Sequence, residues 1–447
     1  MKKLYIFLFL LVCGFTNAQI VNIPDANFKN ALLTTYCADF NNDGIWDGDA
    51  DTNNDGEIQV SEAQAVYQLY LNDQNIASLE GIQSFINVEW LSCKINNLSS
   101  LDLSQNTRLE FFDCDDNDIQ SLDFAQNPAL ITLRCNNNQL TSLNVTQNLN
   151  LESLGAAVNQ LTNLDVSHNS KLNQLVLNSN QFTNINLLNN PLLRVFRCIE
   201  NQITELDFTG NSALEVVYCG FNLLTTLDFS HNPLLEIVYC VGNTITEINV
   251  SQNPNLMSLD CAMNNIIELD FSQNPALELL SCYDNNLTVL DLSLQSNLVG
   301  LYCFNNQIKS LNIKNGNNIN MDRMLAYNNQ LTCIQVDDVN YAYSQVCEQQ
   351  NYFGWCKDEI ARYSENCLLD IKDLATIDFQ LFPNPAENML NIQSTENIEN
   401  VKIYSTQGFL VKEVYSKSID VSQLSAGMYF AQITLNGKSF TKKFIKE

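Results

Sequence analysis

Leu130-Ile131-Thr132-Leu133-Arg134-Cys135-Asn136-Asn137-Asn138-Gln139-Leu140 is the stretch on which the fold turns. Its Leu133 and Cys135 alternate with polar neighbours, as in a short strand with one buried side. Cys93, Cys114, Cys135, Cys198, Cys219, Cys240, Cys261, Cys282 and Cys303 fall on one lattice of period 21, and Ala156 and Leu177 hold its two remaining points. Ala and Leu replace Cys only where packing matters. Nine thiols cannot all pair, and stacked neighbours point the same way. The column therefore reads as core, with Cys acting as a small hydrophobe.

Three residues after each lattice point stands Asn, from Asn96 through Asn138 to Asn306, and Asn329 follows Ala326 in the same way. A buried Asn bonds backbone groups where the chain turns between coils, and each such group left unpaired costs about 1–3 kcal/mol. Ten residues on, Leu143-Asn144-Val145-Thr146-Gln147-Asn148 repeats the pattern. Spacings of ten and eleven predict two short extended segments per coil without intervening helix. This frame resembles the leucine-rich-repeat signature with Cys at one Leu position, in its 21-residue nested bacterial form sometimes called IRREKO, over residues 69–332. The resemblance implies a mainly β solenoid. At about 4.8 Å per coil, a dozen coils span roughly 50–60 Å, with caps at both ends.

The 447 residues carry 50 acidic and 22 basic side chains, a formal net charge of −28. Such a surface repels nucleic acid and anionic lipid and suits divalent cations. Residues 1–18 read as a secretory signal: Lys2 and Lys3, the apolar run Leu4 to Val12, then Thr16-Asn17-Ala18. The run is too short to span a bilayer, and no later stretch does so. Bulky Val12 speaks against lipidation of Cys13.

Residues 20–68 read as a small helical or loop cap. Asp51-Thr52-Asn53-Asn54-Asp55-Gly56-Glu57-Ile58-Gln59-Val60-Ser61-Glu62 follows the EF-hand calcium loop. Asp51, Asn53 and Asp55 offer side-chain oxygens, Glu57 its carbonyl, Gln59 a direct or water-borne contact, and Glu62 both carboxylate oxygens. Gly56 permits the turn. A second loop begins at Asp39 with Asn41, Asp43, Gly44 and Asp47, but Ala50 stands at its twelfth position. Structural calcium at the first loop is the expected cofactor. In the C-terminal cap, residues 333–368, four cysteines lie off the lattice; of three possible pairings, Cys333–Cys367 with Cys347–Cys356 is expected.

Residues 369–378 read as a linker. Beyond it come Phe382-Pro383-Asn384-Pro385, then Val401-Lys402-Ile403-Tyr404-Ser405-Thr406-Gln407-Gly408. Ile419-Asp420-Val421-Ser422-Gln423-Leu424-Ser425-Ala426-Gly427-Met428-Tyr429 follows, and the end is basic, Lys438 to Lys446. Residues 379–447 thus resemble the type A C-terminal sorting domain of the type IX secretion system of Bacteroidetes. The resemblance implies a small β-sandwich, engagement of that secretion machinery, and release from or attachment to the outer surface.

Period two turns the residues flanking each lattice Cys outward. Polar residues dominate the early coils and aromatics the later ones. Solvent-facing aromatics on a rigid sheet, with Arg beside them, suit a partner. Arg197, Tyr218, Tyr239, Tyr283, Tyr302, Phe304 and Tyr327 are the expected contact residues, for a protein or glycan; cross-strand packing is the competing role. The regularly spaced aspartates of the second segment, such as Asp102 and Asp165, are expected to bond local backbone. Only His168 and His231 exist, both in polar turns, so a nucleophile–base pair is not expected. The sequence therefore points to an extracellular, non-catalytic binding module. A structural surface-layer protein and a carboxylate-dependent hydrolase are the alternatives.

Overall fold

The computed structural model describes residues 19–367, 379–394, 398–406, 409–435 and 438–447. The expected signal at 1–18 and the linker at 369–378 lie outside them. The chain divides into two compact units, Met1–Cys367 and Leu368–Glu447.

In the first unit the quoted stretch forms a three-residue strand, Thr132–Arg134, with Leu133 fully buried between two outward residues. It pairs in parallel with Phe111–Asp113 and Ser153–Gly155, each 21 residues away, so that Leu133 lies beside Phe112 and Leu154. Repetition of this step builds a sixteen-stranded sheet. Its parallel ladder runs from Gln68–Tyr70 to Phe353–Lys357. Antiparallel strands close it, Ala38–Asp39 at one end and Cys347–Glu348 at the other, covering edges that would otherwise pair with another chain.

The expected second segment forms strands mainly in later coils: Thr226–Asp228 with Glu247–Asn249, and a four-stranded sheet from Val289–Asp291 to Arg362–Ser364. Earlier coils keep one bridge there among the described residues, Asp123 to Asn144. Asx turns accompany the ladder at Asp228 and Asp291 and persist without it: the carboxylates of Asp102 and Asp165 accept from the N–H groups of Ser104 and Ser167, at 3.0 and 2.9 Å. These bonds hold both carboxyls below their usual range.

Two asparagine columns join the coils. Asn138 Nδ2 donates to the carbonyls of Cys114, Asn136 and Cys135, at 3.0, 3.1 and 3.4 Å, while its Oδ1 accepts from Ile119 N–H at 3.0 Å. In the second column Asn148 Nδ2 donates to the carbonyls of Phe124 and Asn127. Its buried Oδ1 has no partner among the described residues, as in eight more members from Asn106 to Asn274. The turn before each first-column Asn needs left-handed backbone, which Asn137 adopts readily at φ 50°. Ile95 and Val158 adopt it at φ 56° and 55° despite β-branching.

The lattice cysteines are free and fully buried. Burial pushes the Cys219 thiol up to about 12 and its neighbours further. Since the thiolate is the nucleophile, iodoacetamide is expected to leave all ten described free cysteines unmodified in the native protein and to label them in denaturant. Native labelling of Cys198 or Cys240, read by peptide mass, would contradict the buried column.

The second unit is a sandwich of antiparallel sheets. One holds Phe379–Phe382, Met389–Ser394 and Ser418–Asp420; the other holds Leu410–Val414, Ile398–Ser405, Gly427–Leu435 and Lys438–Lys446. Leu390, Ile392, Val401, Ile403, Ile419, Ile433 and Phe444 form its core.

Candidate partner face and cap loops

Repeat strands such as Val195–Arg197 and Val216–Tyr218 bury their middle residue and turn the first and third away from the core. In-register stacking makes columns of them, Arg197 beside Tyr218 beside Tyr239. Arg197 is exposed, and its guanidinium carbon sits 4.8 Å over the Tyr218 ring. Tyr218 and Tyr239 are half-buried, with ring centres 5.7 Å apart. The Tyr239 ring lies across Gly220, where a Cβ would come within 2.6 Å of it, so a larger residue there would displace the ring. Burial, then Asp260 and Glu200, raise the Tyr239 hydroxyl above its ordinary pKa.

Tyr283, Phe304 and Tyr327 form a separate stack, with ring centres 4.6 and 4.9 Å apart and planes within 6°. Phe304 was expected to face solvent, but it is 7% exposed, packed with Leu325 and Cys356 and capped by Tyr352 at 6.2 Å. It packs there because the C-terminal cap closes over the last coils. Tyr302 lies in the other column, where its hydroxyl accepts from Arg323 Nη1 at 2.9 Å. The seven expected contact residues thus fall into an open group, Arg197, Tyr218 and Tyr239, and a group largely occupied in packing.

Attention to the residues flanking Cys missed the column three residues before it. Period two also turns that column outward, which was the available signal. It holds Val195, Val216 and Ile237, in register and half-buried beside the open group. It also holds Trp90 and Phe111, stacked 4.8 Å apart, with Trp46 of the cap 5.4 Å from Trp90 and Arg134 over Phe111 at 5.7 Å.

In the expected calcium loop, Asp51, Gln59 and Glu62 are about 5% exposed, while Asn54 and Gly56 take φ 58° and 82°. Asp51 Oδ2 accepts from Gly56 N–H at 2.8 Å, and Asn53 Oδ1 from Asp55 N–H at 2.9 Å. Asp55 Oδ1 accepts from Glu57 N–H at 3.0 Å and from Gln59 Nε2. Glu62 accepts from Thr52 Oγ1 and from the Gln59 and Asn53 N–H groups. Among the described residues no three His, Cys, Asp or Glu side chains are gathered in metal-holding geometry. The loop at Asp39 repeats these bonds, Asp39 Oδ2 accepting from Gly44 N–H and Asn41 Oδ1 from Asp43 N–H, with Asn42 and Gly44 at φ 59° and 82°. Its twelfth residue, Ala50, is fully buried and offers no ligand. In the other cap, disulfides join Cys333 to Cys367 and Cys347 to Cys356.

Residues 380–447 match the secretion system C-terminal sorting domain. No curated protein matches the chain. Among solved structures, it is similar to an internalin, inlF, from Listeria monocytogenes, at 19% identity and TM-score 0.57, covering 81% of this chain and 96% of that one. The LRIM1/APL1C complex is similar at 19% identity and TM-score 0.51, covering 71% and 59%. The plant peptide hormone receptor RGFR1, in complex with RGF2, is similar at 17% identity and TM-score 0.54, covering 60% and 49%. Such identities speak for the fold alone. No helix among the described residues is long and apolar enough to cross a membrane. By fold the chain is a leucine-rich-repeat solenoid, and the sorting domain at 380–447 marks it for export, to be secreted or attached at the outer surface.

Proposed function

We propose that the chain is a non-catalytic module that binds a protein partner on the outward face around Arg197, Tyr218 and Tyr239. The observation that carries this is the cation–π-ordered Arg197 beside two partly exposed tyrosines and the Val195, Val216 and Ile237 column. Tyr and Arg supply large contact area and directed hydrogen bonds at low entropic cost when held rigidly. RGFR1 with RGF2 is an example of a similar fold holding a partner. A glycan suits the group less well, because stacking on a sugar needs a free ring face and Arg197 covers one face of Tyr218. Catalysis finds little support: His168 and His231 sit in exposed turns, each ring bonded to its adjacent serine at 3.1 Å. With the mature chain as bait, the Y218A/Y239A variant is expected to lose its captured protein partner while melting like the wild type. Undiminished capture would remove the proposal.

Calcium at Asp51–Glu62 is proposed as a structural ligand of the cap. Binding requires Glu62 to exchange its present N–H and hydroxyl donors for the metal. An extracellular loop of this kind binds at about 10⁻⁴–10⁻³ M. Calcium at tenfold excess over such a Kd adds about 1.4 kcal/mol. The expected result is a higher Tm in millimolar calcium than in chelator, abolished by E62Q. A Tm indifferent to calcium would refute it.

A further inference from the structure

Arg134 and Arg197 start from one outward column, and the register between them runs Arg134, Gly155, Val176, Arg197. Three strand steps place their backbones about 14 Å apart along the ladder. Both are exposed, and each lies over a ring of a neighbouring coil, Phe111 and Tyr218. Among the described residues neither guanidinium makes a hydrogen bond or ion pair, although the chain carries 50 carboxylate side chains against 22 bases. The carboxylates nearest Arg134 in the ladder are spent elsewhere. Asp113 accepts from Asp115 N–H at 3.1 Å, and Asp115 from the Asn136 N–H and Nδ2 at 2.6 and 2.9 Å. Between the two arginines the surface drops at Gly155 into a notch of about 260 Å³, lined by Asn136, Ser153 and Gln174 among others.

A guanidinium held over a ring by cation–π attraction still has N–H donors to offer, and a guanidinium fork can grip a carboxylate with two bonds. We infer that the protein partner presents two carboxylate side chains about 14 Å apart, on an extended segment crossing the ladder from Arg134 to Arg197. This rests on the protein-binding reading above. Extended chain advances about 3.4 Å per residue, so the two acids stand at i and i+4 on one face of that segment. Isolated carboxylates fit where a polyanion does not, because Asp113 is the register neighbour of Arg134, Asp115 lines the same notch and the chain as a whole is strongly acidic.

The test uses the full mature chain and three acetylated, amidated nine-residue valine-rich peptides. One carries glutamates at its third and seventh positions, one at its third and fifth, and one glutamines at the third and seventh. Binding is read by fluorescence anisotropy at two salt concentrations. The i, i+4 acid is expected to bind about tenfold more tightly than both controls, and R134Q and R197Q are each expected to remove that advantage and its salt dependence. Both variants should keep the wild-type melting curve. Equal binding of acid and amide peptides, indifference to both arginine changes, or no binding by any peptide overturns the inference. Those outcomes together with capture that depends on Tyr218 and Tyr239 would leave the protein-binding reading standing.

Discussion

Asn138→Ala is expected to destabilise the solenoid by about 3–5 kcal/mol, from two to three buried backbone groups left without partners at about 1–3 kcal/mol each. The amide ties two adjacent coils together, through the Cys114 carbonyl and Ile119 N–H of the preceding coil and the Asn136 carbonyl of its own. Ala restores none of these, and the buried site gives water little room to replace them. Because each coil rests on its neighbours, the loss is felt along the ladder as a weakened interface. Gln139→Ala, one residue on and bonded to Asp118 Oδ1 at 2.8 Å in a solvent-accessible pair, is expected to cost under about 1 kcal/mol. Urea unfolding followed by circular dichroism and tryptophan fluorescence gives both values, provided the two probes coincide. Equal effects of the two changes would show that the column does not hold the coils.

Removal of the outer cap bridge, by C333S/C367S, is expected to cost about 4 kcal/mol, because the bridge closes a segment of 34 residues and loop-closure entropy grows with that length. The inner bridge, separated by 9 residues, is worth about 2–3 kcal/mol on the same model, so C347S/C356S should be the milder variant. The cap matters beyond its own residues. Phe353–Lys357 covers Arg323–Ala326 at the end of the long sheet, and Arg362–Ser364 covers Cys333–Gln335 at the end of the shorter one. Loosening it exposes Met324 and Trp355 and frees strand edges. Limited proteolysis should therefore start near residue 330 in C333S/C367S and propagate toward the N-terminal cap. The reverse order of stabilities would defeat the entropic account.

Much of the body was legible because a solenoid repeats one local problem. A residue 21 positions away meets the same neighbours, so Cys135 and Asn138 state in one coil what Cys219 and Asn222 state in another. The second-strand pattern was read too generously. Leu-x-apolar spacing fits an Asx turn with or without a strand: Asp102 and Asp165 accept from local N–H groups outside strands, and Asp228 and Asp291 do so within them.

The amino-acid order by itself determined the coil, its period, the buried thiols and the outward direction of each column. All of these follow from contacts between a residue and its counterpart one repeat away. Only tertiary structure decided which outward residues stay open. Phe304 is covered because Tyr352 of the cap arrives beside it, and Trp90 is flanked by Trp46 of the other cap. Among the described residues no carboxylate pairs with Arg197, whose guanidinium sits over the Tyr218 ring. Accessibility depends on side chains brought together from outside the repeat, and periodicity carries no record of them.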